Sequence, residues 1–168
     1  MTSLTGALAQ FFTPTHLLAV VALGLLAGQQ PKRMPVVTLA AFALGLTIGS
    51  IIIATAVRET PAALALLAIA AFAAIMVVIA LPTTTLVVYA LAFGTGAALA
   101  LNSPPQALTI PSAVAAQFGT GVAALGTLAL VIGVAMHADR PWQRIGVRIA
   151  ASWVAASTIL VLALRLAR

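Results

Sequence analysis

The chain has 168 residues, of which 63% are hydrophobic and only 6% are charged. This composition excludes a soluble domain and makes the lipid bilayer the expected environment. Cysteine is absent, which excludes disulfides, thiolate metal sites and iron–sulfur clusters. The net charge of +6 comes from 8 basic and 2 acidic residues. In a membrane protein such an excess reports orientation and anionic headgroups, and it does not indicate binding to nucleic acid.

Prolines and charges divide the chain into six apolar segments, each close to the roughly 20 residues that cross the hydrocarbon core. The segments are 14–30, 36–57, 61–81, 83–101, 111–136 and 143–164. Four of them begin at or near a proline, which the first turn of a helix accepts without loss of a hydrogen bond. The sequence therefore predicts an all-α integral membrane protein, a single compact bundle of six transmembrane helices. Residues 81–85 form either a hairpin or a kink within one long helix.

Basic residues orient the predicted bundle. Connections after the first, third and fifth spans hold Lys32, Arg33, Arg140 and Arg144, with Arg148 close by. The opposite side holds Arg58, Arg165 and Arg168. The positive-inside rule therefore predicts that both termini lie outside and that the loop 137–144 lies in the cytoplasm.

This topology separates the titratable residues. His16 begins the first span and His137 follows the fifth, so a hydrocarbon core of about 30 Å would lie between them and they cannot share a metal. The two acids, Glu59 and Asp139, lie in connections on opposite sides. No predicted span holds the central Asp, Glu or Lys that proton relays usually need, and no catalytic constellation is recognisable. We therefore expect neither an enzyme nor a cofactor.

Residues 15–30, "THLLAVVALGLLAGQQ", resemble the first membrane helix of the HupE/UreJ family. That family comprises six-span bacterial inner-membrane proteins proposed to be nickel or cobalt permeases for hydrogenase and urease. The matching residues are His16, Leu17, Leu18, Ala19, Ala22, Gly24, Leu25, Ala27 and Gln29. The resemblance implies the six-span fold in a bacterial inner membrane, with both termini periplasmic, and it implies that His16 is a remnant of the family's metal site.

The family's other metal ligands are missing. Ala9 and Gln10 stand where the family has its first His-Pro, the fourth span has no histidine, and Gly126 replaces a later one. A metal needs several ligands that converge on one point, and only one of about five is retained here. His16 is then either a structural residue bonded to Thr13, Thr15 or the loop that begins at Asn102, or a half-site completed by Gln10, Asn102 or a partner protein.

The sequence "FGTG" occurs at 93–96 and again at 118–121. Both copies would lie at the same depth in spans four and five, so we expect these spans to pack closely through Gly94, Gly96, Gly119 and Gly121. The alternative is a small cavity lined by Thr95, Thr120 and Gln117, and entered from the loop that begins at Asn102. The pairs Gly24/Gly28 and Gly45/Gly49 are further packing faces, or surfaces for another protein.

Two functions are compatible with these features. The first is a divergent HupE/UreJ-like permease for a metal ion or small solute, which predicts polar side chains converging on His16, Gln117 and the Asn102 loop. The second is a non-catalytic accessory subunit that packs against a larger membrane complex, or a homo-oligomer. It predicts a core closed by Ala, Leu and Gly. Trp153, in the last span, would then find its hydrogen-bond partner in Ser152, in Ser157 or in a neighbouring subunit.

Orientation is testable because the native chain has no cysteine. A Pro104→Cys variant should react with an impermeant thiol reagent added from the periplasmic side. An Asp139→Cys variant, in the loop on the other side, should be protected from the same reagent. Labelling of position 104 from the cytoplasm alone would contradict the predicted orientation.

Overall fold

The structure is a computed structural model that describes residues 13–30, 34–55, 62–80, 83–103 and 110–167. Within these ranges the chain forms six α-helices and no strand, which confirms the predicted all-α class. The helices are α1 (Pro14–Gly28), α2 (Met34–Thr55), α3 (Ala62–Ile79), α4 (Thr85–Leu101), α5 (Ile110–Met136) and α6 (Pro141–Leu166). Their ends lie within two residues of the predicted spans, because prolines and polar residues mark the breaks.

Four of these helices, α2, α3, α5 and α6, are long and apolar enough to cross a bilayer, which identifies a membrane protein. The other two are shorter apolar helices, with 15 residues in α1 and 17 in α4. At 1.5 Å per residue α1 is about 22 Å long, less than the hydrocarbon thickness of about 30 Å. The longer helices therefore extend beyond the ends of α1.

The sequence left a hairpin or a kink open at 81–85, and here α3 and α4 are two separate helices. Ala80 follows α3 with a φ of 53°, a left-handed conformation that ends the helix. Arg148 of α6 then donates from Nε and Nη2 to the carbonyl oxygen of Val78, at 3.1 and 2.8 Å. The end of α3 is therefore fastened to α6 by a charged donor, and the chain starts a new helix at Thr85.

The most enclosed helix is α1, which contacts each of the other five helices and packs most extensively against α3 and α5. Every residue from Ala22 to Gly28 is buried. A helix that is apolar on all sides has no face to turn toward water, and it is suited to the centre of a bundle. The core around it consists mainly of Ala, Leu and Val side chains.

Two pairs of helices approach each other through glycines. On α1, a Cβ at Gly24 or Gly28 would collide with Val131 or Ala135 of α5. On α2, a Cβ at Gly45 or Gly49 would collide with the backbone of α4 near Phe93 and Ala97. In each pair the residue numbers at the contacts increase in the same direction along both helices. Helix α1 therefore runs parallel to α5, and α2 runs parallel to α4. Both glycine pairs are packing faces within the chain.

The predicted contact between the fourth and fifth spans is wrong. Gly96 packs against the carbonyl oxygen of Phe42 on α2, and Gly94 faces Ile69 on α3. Gly121 has only an ordinary contact with Leu46 of α2. Among the described residues α4 and α5 share very little contact, whereas α2 and α4 have the most extensive interface in the bundle. Eight residues connect Leu101 to Ile110 and can reach roughly 25 Å, so neighbours in sequence need not be neighbours in space.

The α2–α4 interface gives a direct test of close packing. Gly96→Leu should lower the free energy of unfolding by about 1–3 kcal/mol or more, because its side chain would meet backbone atoms of α2. Thermal unfolding in detergent measures this change.

The matched control is Gly126→Leu, at an exposed helical position where a Cβ would meet nothing within 4 Å. It should stay within about 0.5 kcal/mol of the native protein. Equal stability of the two variants would contradict the interface.

Candidate functional site

The local fold at His16 is the start of α1. Thr13 occupies the N-cap position in extended conformation and Pro14 follows in the first turn, as the sequence predicts. The carbonyl oxygen of Thr13 accepts from the backbone N–H groups of His16 and Leu17, at 3.1 and 3.2 Å. The Thr13 hydroxyl does not cap the helix, and it has no partner among the described residues. The backbone at Thr13 and Pro14 therefore starts the helix and places His16 in its first turn.

The His16 imidazole is buried, with 1% of its surface exposed. Its Nε2 lies 2.9 Å from the amide nitrogen of Asn102 and 3.5 Å from the hydroxyl of Ser103. Asn102 is the C-cap of α4, and Ser103 is itself buried. The start of α1 and the end of α4 are thereby joined by side chains 86 residues apart in sequence. This cluster of His16, Asn102 and Ser103 is called the outer polar cluster below, after its predicted side of the membrane.

The geometry fixes the chemistry of the imidazole. With the Asn102 amide as donor, Nε2 is an acceptor and the proton of the neutral ring sits on Nδ1. A metal ion at Nε2 would have to displace this donor. The cluster can orient an imidazole and hold two helices together, and it offers a metal only one strong ligand.

The described residues contain no group of three or more His, Cys, Asp or Glu side chains that could hold a metal. His137 lies beyond the far end of α5, exposed, and its Nδ1 donates to the carbonyl oxygen of Gly133 at 2.7 Å. Ala135 nearby packs against Gly28, so the two histidines lie at opposite ends of α1, roughly 20 Å apart. Two other predicted ligands or acids, Gln10 and Glu59, lie outside the described residues.

The polar residues predicted to line a cavity make hydrogen bonds within the bundle. The hydroxyls of Thr95 and Thr120 are buried and donate to carbonyl oxygens one turn earlier in their own helices, at 2.7 and 3.0 Å. Gln117 donates to the hydroxyl of Ser50 at 3.1 Å, which ties α5 to α2. Gln117 therefore does not join the outer polar cluster through any hydrogen bond that the described residues show. Gly119 lies in α5, half-buried.

Two functional residues were missed from sequence. Ser103 directly follows Asn102, and its place next to the end of a span was a usable signal. Ser50 accepts from Gln117 while donating to the carbonyl oxygen of Leu46 at 2.7 Å. A hydroxyl near the end of an apolar helix, opposite a glutamine on another helix, gives no pattern that sequence reading can detect.

Comparison of the chain with models of known families, with curated proteins and with solved structures gave no match in any of the three. The likeness of residues 15–30 to the HupE/UreJ first helix therefore supports only a proposal.

The His16–Asn102 bond should contribute measurably to stability. Asn102→Ala removes the donor that lies 2.9 Å from the buried Nε2, and it should lower the free energy of unfolding by about 1–3 kcal/mol. Thermal unfolding in detergent measures the loss.

Thr47→Ala is the control, because it removes an exposed hydroxyl that donates to Leu44 at 2.8 Å. That variant should change stability by less than about 0.5 kcal/mol. If Asn102→Ala also changed nothing, the hydrogen bond would have no structural importance.

Proposed function

We propose that this protein is a non-catalytic accessory subunit of a larger membrane assembly. The observation that carries this proposal is the enclosure of α1. The helix that resembles the metal-binding helix of the HupE/UreJ family is surrounded by Ala, Leu and Val side chains, and its histidine is 1% exposed. A permeation path along α1 would need accessible polar groups, and here the hydroxyls of Thr95 and Thr120 are buried and donate to carbonyl oxygens of their own helices.

The outer surface of α6 supports a partner. Trp153 is 73% exposed and lies about 18 Å along a helix that begins at Pro141, at a depth where lipid offers no acceptor for an indole N–H. Among the described residues the indole N–H has no hydrogen-bond partner. Ser152, one of its predicted partners, donates instead to the carbonyl oxygen of Ile149 at 2.7 Å. A second protein chain that packs on α6 would supply the missing acceptor.

A second candidate is the divergent permease, and the outer polar cluster favours it. His16 and the first residues of the Asn102 loop converge at the start of α1, as a permease of this kind would require, whereas Gln117 bonds to Ser50 instead. A small neutral solute or a weakly bound cation could then be handled there. The two candidates differ in what His16 does, and this difference can be measured.

The partner is tested by purification in mild detergent followed by mass determination. We expect the native chain to elute in a defined assembly larger than one 16.9 kDa subunit. Trp153→Leu should release it, because the variant keeps the apolar surface but loses the ring and its donor. Phe118→Leu alters an equally exposed aromatic residue on α5 and should leave the assembly intact. A monodisperse single subunit in the native sample would overturn the accessory proposal.

Metal binding is tested by equilibrium dialysis with nickel. We expect no stoichiometric site of micromolar affinity, and no difference between the native protein and His16→Ala, because Nε2 already accepts a hydrogen bond. Thr47→Ala serves as the control variant. A stoichiometric site that disappears in His16→Ala would make the permease the leading candidate.

A further inference from the structure

A polar cavity of about 530 Å³ lies at the end of the bundle opposite the outer polar cluster, where α1 ends and α5 turns into α6. Its walls include Gln29, Gln30, Asp139, Arg144 and Arg148. The volume is typical of a pocket for a small ligand. Two cations and one carboxylate line it, so the cavity favours an anion.

Both guanidinium groups have donors to spare. Arg144 uses its Nε for the carbonyl oxygen of Ala138 at 3.3 Å, and Arg148 uses Nε and Nη2 for Val78. Among the described residues neither group has any further protein partner. Each guanidinium carries five N–H donors, and the remaining ones are suited to the oxygens of a phosphate. The protein bonds hold both groups in place at the cavity.

An apolar groove adjoins this cavity. It lies between α5 and α6, has a volume of about 790 Å³, and shares Ala138 and Val147 with the polar cavity. Leu25 of α1 lines it, and so do Gly133 and Gly146. Nothing lies within 4 Å of a Cβ built at either glycine, so the groove has open space on both walls. The groove thus reaches Leu25 of α1, of which only 6% is exposed.

Trp142 sets the depth of the site. It lines the apolar groove, is 64% exposed and stands in the first turn of α6, two residues after Arg140. Tryptophan next to arginine at a helix start is typical of the level of lipid headgroups. The charged cavity thus lies at the interface, and the groove runs from it toward the hydrocarbon.

We propose that the polar cavity and the α5–α6 groove together bind one anionic phospholipid. Its phosphate lies between Arg144 and Arg148, and one acyl chain fills the groove against Leu25. Basic pockets between membrane helices are a known way to recognise anionic headgroups. A free phosphate would satisfy the arginines equally well but would leave the apolar groove empty, and so the joined cavity and groove point to a lipid. This lipid site does not depend on the accessory-subunit function proposed above.

The test is native mass spectrometry of the full chain in mild detergent, titrated with phosphatidylglycerol, phosphatidylcholine or glycerol 3-phosphate. We expect one phosphatidylglycerol to bind per chain, more tightly than phosphatidylcholine. Arg144→Gln should weaken phosphatidylglycerol about fivefold, which corresponds to about 1 kcal/mol for one basic residue near the surface. Arg165→Gln removes an exposed cation at the other end of α6 and should change nothing.

The groove is tested separately. Gly146→Leu places a side chain in open space, so it should fold as the native protein does while it weakens both phospholipids and leaves glycerol 3-phosphate unaffected. Its thermal unfolding midpoint checks the fold, and it keeps the proposal testable if Arg144→Gln is unstable. Equal affinity for both phospholipids in all variants would overturn the proposal. Glycerol 3-phosphate binding as tightly as phosphatidylglycerol, with no effect of Gly146→Leu, would overturn it in favour of a free phosphate.

Discussion

The enclosure of α1 on all sides is the constraint on which the rest of the bundle depends. In lipid the hydrophobic effect does not drive helices together, since the solvent is as apolar as the side chains. Close contact and hydrogen bonds must do so instead. Glycines 24 and 28 let α5 approach one end of α1, and the imidazole of His16 binds α4 at the other end. Five helices can therefore surround a sixth that is only 15 residues long.

Polar groups inside the bundle are few, and those described are used for internal connection. Buried threonines such as Thr95 and Thr158 return their hydroxyl protons to carbonyl oxygens one turn back, which removes the cost of an unpaired donor in a medium without water. Gln117 and Ser50 join α5 to α2, and Arg148 joins α6 to the end of α3. Amide, hydroxyl and guanidinium groups thus connect particular pairs of helices.

The helices and their ends could be predicted from sequence, but the neighbours could not. Proline positions and the length of a bilayer determine where a span begins and ends, independently of its partners. A small-residue face shows that something packs closely there without showing which helix does. Gly96 met α2 and not α5, because an eight-residue connection allows either arrangement. Asn102 was predicted as a partner of His16, since both residues stand at the ends of apolar segments on the same predicted face. Ser103, next to Asn102, shared this signal, whereas Ser50 carried none.

The central place of α1 has a consequence for biogenesis. In chain order α1 precedes every helix that encloses it, and α5 and α6 are the last two helices to pack on it. During synthesis its small-residue face toward α5 must first be solvated by acyl chains, which are then expelled as the later helices arrive. The end of α3 also stays without its charged donor until α6 is made, because Arg148 is 70 residues further along the chain than Val78. A ribosome that stalls before α6 would leave a partly assembled intermediate in the bilayer, with an uncapped helix end that membrane quality-control proteases can recognise.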